Sequence, residues 1–127
     1  MTINLELYLN EWDIEAIVVT ALEGGIGHWA CLDNTGIEFK NAPKDEPVSI
    51  TATKILLDGG TLKFDDTESD DRWDLTLAML IEGIKTFWDG HDHNGVIRNS
   101  CLDGDELDAS DANFIFQFAM FGDIVFG

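Results

Sequence analysis

Three histidines and two cysteines are the residues of this chain that could form a transition-metal site. His28 and Cys31 are separated by two residues and His91 and His93 by one, and zinc can use both spacings. Cys101 would add a second thiolate, and thiolate with imidazole suits four-coordinate zinc. Because the chain lacks a Cys-x-x-Cys pair, zinc binding stays an alternative, and no metal site or cofactor is predicted.

The acidic segment 103–108 lacks the ligand order of an EF-hand calcium loop. Counted from Asp103, the fifth position is Leu107 and the sixth is Asp108, where the motif needs an oxygen ligand and a glycine. The twelfth position is Phe114, where the motif needs glutamate. A calcium loop is therefore not predicted.

Catalytic motifs are absent from the sequence. No spacing singles out two carboxylates for acid and base roles, and no serine lies in a nucleophile elbow. The glycines Gly24, Gly25 and Gly27 lack the lysine and the following helix of a phosphate-binding loop. The sequence therefore predicts a protein that is not an enzyme.

An excess of acid is the dominant feature of the composition. The 127 residues hold 25 Asp and Glu against 7 Lys and Arg, for a formal net charge of −18. No base precedes Lys40, and none follows Arg98. Such a field repels nucleic acid and anionic membrane and attracts cationic partners. We therefore expect a basic protein partner, with no direct binding to nucleic acid or membrane.

The candidate partner-binding residues are acids in three parts of the chain. Segment 65–71 holds five carboxylates in seven positions, and others fall near residues 11–15 and 103–108. The candidates are Asp65, Asp66, Glu68, Asp70, Asp71, Asp103, Asp105, Glu106, Asp108, Glu11 and Glu15. The competing interpretation is an ordinary solvated acidic surface.

Length and apolar content predict one folded domain, spanning residues 1–127. Of these residues 45% are hydrophobic, and no apolar run approaches the roughly 20 residues that a membrane span needs. The amino terminus lacks the basic region of a secretion signal, so we expect a cytoplasmic protein. In that compartment Cys31 and Cys101 are expected to be free, buried thiols.

Hydrophobic periodicity predicts three helices. The first runs over 11–23 with Asn10 as N-cap, and Gly24 and Gly25 end it. The second runs over 77–88 behind Thr76, and the third over about 109–121 behind Asp108 or Ser110. The third helix is apolar on nearly every side, which predicts full burial or an oligomer interface.

The remaining segments are predicted to be strands and loops. Residues 28–32 form a short strand, residues 37–39 a second extended piece, and residues 48–57 pair with 61–64 in a hairpin turned at 58–60. A strand ends near 75–77, and residues 89–108 form a loop. Together these elements predict an α+β domain in which helices cover one face of a small antiparallel sheet.

Two stretches carry a resemblance to a known group of proteins. They are the segment 21–30 (ALEGGIGHWA) and the ending 117–127 (QFAMFGDIVFG). They resemble the helix-to-strand corner and the terminal helix of small acidic proteins encoded by phages and prophages, a largely uncharacterised family. The resemblance implies no catalytic residues. It does imply the activity of many small acidic phage proteins, which inhibit host defence by occupying nucleic-acid sites on CRISPR or restriction proteins.

Charge and size agree with DNA mimicry as the mechanism. A chain of this length has a diameter of roughly 36 Å, and duplex DNA of that length carries on the order of 21 charges. The net charge of −18 is comparable. We therefore predict an anti-CRISPR or similar inhibitor that binds the basic nucleic-acid-binding surface of a host immunity complex. The alternatives are a scaffolding protein that forms homo-oligomers through its last helix, and a zinc-binding protein.

Overall fold

The computed structural model describes residues 8–90, 97–98, 101–102 and 107–127. Within these residues there are five α-helices, a three-stranded antiparallel sheet and a separate two-stranded hairpin. The helices are α1 (Glu11–Thr20), α2 (Ile37–Lys40), α3 (Val48–Leu57), α4 (Leu77–Gly90) and α5 (Ala109–Phe121). The strands are β1 (Ala30–Leu32), β2 (Leu62–Asp66), β3 (Arg72–Leu75), β4 (Ile97–Arg98) and β5 (Cys101–Leu102). The predicted α+β class is confirmed.

Helix α1 begins at the predicted cap and ends in a wider turn. The side chain of Asn10 accepts a hydrogen bond from the Asp13 amide, and the Asp13 carboxylate accepts one from the Asn10 amide. This capping box satisfies two amides that the helix leaves without partners. After Thr20 the chain continues as a single π-helical turn, Ala21–Gly25, so the predicted helix 11–23 is confirmed with a change of pitch. Gly24 and Gly25 lie inside this turn instead of ending the helix, so that part of the prediction is wrong.

Helix α3 replaces one strand of the predicted hairpin, so that prediction is wrong. Residues 48–57 are rich in β-branched side chains, but the helix accommodates their hydroxyl groups. Thr53 donates to the Ser49 carbonyl one turn earlier, and Thr51 donates to the Glu46 carboxylate at 2.8 Å. Ala52 and Leu56 of the same helix are buried in the core. Tertiary burial therefore overrides the β propensity of the segment.

Two shorter predictions are also corrected. Residues 37–39 were expected to be extended but form helix α2, in which the Lys40 and Asn41 amides donate to carbonyls four residues earlier. Within the predicted loop 89–108, Ile97 pairs with Leu102 and Arg98 with Cys101, forming the β4–β5 hairpin. Thr76 caps α4 as predicted, since its hydroxyl accepts from the Met79 amide.

The three-stranded sheet has one buried and one exposed face. Strand β2 lies in the centre and pairs with β1 and β3, with Leu32 opposite Phe64 and Phe64 opposite Trp73. Phe64, Leu62 and Leu75 are buried beneath the helices, as the period of two along a strand requires. The outer face carries Cys31, Lys63, Asp65, Arg72 and Asp74.

Helix α5 lies at the centre of the core. It packs against α4, the π-helical turn, α1 and β3. Ala112, Ile115 and Phe116 are fully buried, whereas Phe118 is only partly buried. Gly83 lets α4 cross α5 closely, because a Cβ atom there would lie 2.5 Å from the Ile115 carbonyl oxygen. The apolar surface of α5 is therefore covered in part from within the chain, and Phe114, Phe118 and Phe121 stay partly exposed.

The helices of the described residues are short relative to a bilayer or interrupted by polar side chains. None of them combines the length and the apolar character that crossing a membrane requires.

The burial of α5 gives a first prediction, for the pair Phe116 and Phe118. Phe116→Ala is expected to lower the free energy of unfolding by about 3–5 kcal/mol, because the cavity lies in the closed core. Phe118→Ala should cost less, since its ring is partly exposed. Urea unfolding of both variants measures the two losses. A larger loss for Phe118→Ala would show that the core is centred elsewhere.

Candidate partner-binding surface

The two stretches of the resemblance meet at one corner of the protein. The corner, residues 24–29, joins the π-helical turn to β1 and contacts the first turns of α5. Gly25 makes this approach feasible, because a Cβ atom there would lie 2.9 Å from the Ala109 carbonyl oxygen. The neighbouring Gly24 has open space at the same position. The second glycine of the pair is thus required by packing.

An aromatic cluster joins the corner to the end of the chain. It consists of Trp29, Trp73, Phe121 and Phe126. The ring of Phe126 stacks on Trp29 with centroids 5.0 Å apart and planes 8° apart. Phe121 meets Trp73 edge-on at 5.0 Å. These rings anchor residues 124–127 against the sheet edge of the corner.

A buried amide pair, Asn113 and Gln117, holds the same region through hydrogen bonds. The Asn113 side-chain oxygen accepts from the Trp29 indole at 2.7 Å and from the Gln117 amide nitrogen at 3.0 Å. The Gln117 oxygen accepts from the amides of Val125 and Phe126 at 2.8 and 2.7 Å. Gln117 also donates to the Phe126 carbonyl at 3.0 Å. The Gln117 side chain thus pairs with the backbone of the tail, residues 124–127, as a neighbouring strand would.

The acidic turn, residues 67–71, is fixed to this corner. The Thr67 amide donates to the Trp29 carbonyl at 3.2 Å, and the Asp66 amide donates to the Asp71 carbonyl at 2.9 Å. The Asp66 carboxylate accepts from the Glu68 amide and from the Ser69 hydroxyl, both at 2.9 Å. The turn therefore has a defined backbone, and the Asp66 carboxylate is held within it.

The five carboxylates of segment 65–71 divide into two groups. Glu68, Asp70 and Asp71 are exposed in the turn. Asp65 is half-buried and pairs with the Arg72 guanidinium at 2.7 Å, while Asp66 is occupied by the turn itself. Three of the five are thus available to a partner.

Arg72 links two strands of the outer sheet face. Its guanidinium also lies 2.5 Å from the Asp33 carboxylate, which follows β1. Asp33 accepts further hydrogen bonds from the hydroxyl and amide of Thr35 at 2.6 and 2.9 Å. These two bonds, with Arg72, lower the pKa of Asp33 from its ordinary 3.8 to about 2. The pair stabilises the sheet edge beside the acidic turn.

The other candidate acids lie in different places. Asp108 caps α5 by accepting from the Asp111 amide at 2.8 Å, and it precedes the residue that touches the corner. Glu11 is exposed and Glu15 half-buried on α1, about 21 and 15 Å respectively from Gly25 by helical rise. Asp103, Asp105 and Glu106 lie outside the described residues. The acids of α1 thus lie on a different element from those of the turn.

The candidate zinc ligands do not meet within the described part of the chain. No group of three or more His, Cys, Asp or Glu side chains there could hold a metal ion. His28 lies 3.2 Å from the Gly127 carbonyl oxygen. Cys31 is a free thiol as predicted, but it is exposed rather than buried because it points to the outer sheet face. His91, His93 and the side chain of Cys101 lie outside the described residues.

Asn113 and Gln117 were not among the predicted functional residues. Their signal in the sequence is two amides four residues apart within an otherwise apolar helix, which places both on one buried face. Buried amides need partners, and here the partners are the corner and the tail. The pair therefore joins residues 117–127 to the corner.

No family model, curated protein or solved structure matches the chain.

The glycine pair at the corner gives a matched prediction. Gly25→Ala is expected to cost about 1–3 kcal/mol, because its methyl group would overlap the Ala109 carbonyl. Gly24→Ala should leave stability unchanged or raise it slightly, since space is open and alanine favours helix. Thermal and urea unfolding measure both changes. Equal effects at the two positions would contradict the close approach of the corner to α5.

The lowered pKa of Asp33 predicts a pH dependence of stability. A carboxylate with a depressed folded-state pKa contributes stability above its unfolded value and loses it as pH falls through the folded value. The stability difference between wild type and Asp33→Asn should therefore be constant at neutral pH and shrink between 3.8 and about 2. When the same comparison is made in an Arg72→Gln background, the pH-dependent part of the stability difference should be smaller but still present, because the two Thr35 bonds to Asp33 remain. Urea unfolding as a function of pH tests this. A difference that stays constant through that range would contradict it.

Proposed function

We propose that this protein is a non-enzymatic, phage-type inhibitor that binds the basic nucleic-acid-binding surface of a host immunity complex. The binding surface is the acidic turn, with Glu68, Asp70 and Asp71 as its contacts. The Asp108 carboxylate, like that of Asp66, is occupied within its own segment, because it caps α5. The partner class follows from charge, since a surface of this sign attracts cationic protein and repels nucleic acid.

The observation that carries this proposal is the clustering of exposed carboxylates on a turn whose backbone is held by hydrogen bonds. Three of them fall within residues 68–71, a span of at most about 11 Å of extended chain. One strand of DNA carries a charge about every 3.4 Å, so it presents about three phosphates over that length. The turn thus resembles a single nucleic-acid strand in charge density.

The hydrogen-bonded backbone of the acidic turn favours binding in addition to the charge of the turn. The Asp66 carboxylate and the Thr67 amide hold the turn before any partner arrives. A preorganised surface avoids the ordering cost that a flexible acidic loop would incur on binding. The acidic turn therefore fits a competitor for phosphate-binding side chains better than a generally solvated loop would.

The scaffolding alternative stays open. It was suggested by the apolar sides of α5, which pack in part against α4, α1 and β3, while Phe114, Phe118 and Phe121 stay partly exposed. Zinc binding also stays an alternative, since most of its candidate ligands lie outside the described residues.

The experiment is a matched pair of charge reversals. The turn variant changes Glu68, Asp70 and Asp71 to Lys, and the control variant changes the exposed Glu38, Asp45 and Asp58 to Lys. Both carry the same net charge, so nonspecific attraction to basic proteins changes equally. The turn variant should bind the captured host partner about 2–5 kcal/mol more weakly than the control variant, because attraction becomes repulsion at the contact.

The measurement begins with capture of partners from nuclease-treated host lysate at about 50 and 200 mM salt. Calorimetric titration of the identified partner then compares wild type with both variants, with and without a competing oligonucleotide. The proposal expects binding that weakens with salt and competes with the oligonucleotide. Equal affinity of the two variants, or simultaneous binding of oligonucleotide and protein, would refute it.

A further inference from the structure

The outward face of α1 carries a protruding tryptophan. Of the large apolar side chains that the structure describes, Trp12 is the most exposed, at 77%. Ile14, Ile17 and Val18 turn towards the core, and Trp12 lies about 160° from their mean direction at 100° per residue. Trp12 therefore points away from the body of the protein.

The start of α1 holds this tryptophan in a fixed place. Trp12 lies inside the capping box formed by Asn10 and Asp13, whose hydrogen bonds are 3.0 and 3.2 Å long. Leu9, just before the cap, packs against the core, as does Ile14 four residues into the helix. Such a pair on either side of a cap fixes the direction in which the chain enters the helix. The indole is thus presented on a rigid support.

Carboxylates flank Trp12 along α1. Glu11 is its exposed neighbour, and Glu15 lies three residues on, on the same outward side. No lysine or arginine occurs in the sequence before Lys40. The patch combines a large aromatic face with negative charge and has no base of its own helix to neutralise it.

We infer that the Trp12 patch (Glu11, Trp12 and Glu15) is a second docking site for the basic partner, and that it recognises arginine in particular. A guanidinium stacks on an indole face and donates in parallel to a carboxylate, whereas an ammonium lacks the planar fork. Tryptophan is also among the residues most enriched at the energetic centres of interfaces. This inference rests on the proposed function for the basic character of the partner.

Position separates the Trp12 patch from the acidic turn. The Trp12 patch lies on α1 before its π-helical turn, whereas the acidic turn follows β2 and is hydrogen-bonded to Trp29 beyond the π-helical turn. The acidic turn supplies phosphate-like charge, and the Trp12 patch supplies an arginine contact.

The test uses two capped peptides of equal charge, nona-arginine and nona-lysine, titrated into the full chain. Wild type is expected to bind nona-arginine about two- to fivefold more tightly, which is the range for an exposed cation–π contact. Trp12→Ala should abolish this preference and leave the affinity for nona-lysine within about twofold. Ile37→Ala, at another exposed apolar residue, and Glu38→Gln are the matched controls and should keep the preference.

Each outcome decides between the two proposals. Equal affinity of wild type for the two peptides, or a preference that survives Trp12→Ala, overturns the arginine site, whatever the acidic turn does. If the preference depends on Trp12 while the turn variant still binds the captured host partner normally, the arginine site stands and the proposed function falls. An unchanged melting temperature of Trp12→Ala shows that the loss is not caused by unfolding.

Discussion

The buried amide pair Asn113 and Gln117 is the interaction on which the candidate surface depends. Gln117 is wholly buried, and its side chain makes four hydrogen bonds, to Asn113 and to the backbone of residues 125–126. Each buried polar group left without a partner would lower the free energy of unfolding by about 1–3 kcal/mol. The amide pair and the tail therefore stabilise each other. Asn113 extends the network to Trp29, and hence to the corner.

From the corner the same constraint reaches the acidic turn. The Trp29 carbonyl accepts from the Thr67 amide, and the stacked ring of Phe126 covers the indole of the same residue. Segment 65–71 is thus anchored through Thr67 to the buried Trp29, while Glu68, Asp70 and Asp71 stay exposed. This division explains how a strongly acidic loop keeps one shape despite the repulsion among its carboxylates.

Much of the fold followed from local patterns in the sequence. The caps Asn10, Thr76 and Asp108 predicted the starts of α1, α4 and α5, because capping depends on a few neighbouring residues. The hairpin over 48–64 was wrong because β-branched residues and burial favour different structures there, and burial is set by distant partners. Likewise, the sequence located the acids but could not show which of them are free to contact a partner. The structure shows this, because Asp65 pairs with Arg72 and Asp66 is hydrogen-bonded within the turn.

Native-state amide hydrogen exchange of the full chain tests most directly whether tail, corner and acidic turn form one unit. The Val125 and Phe126 amides donate to Gln117, and the Thr67 amide donates to Trp29. If the amide pair couples them, all three amides should be protected and should share one free energy of opening. Exchange of Val125 and Phe126 at unprotected rates, with Thr67 still protected, would contradict the account.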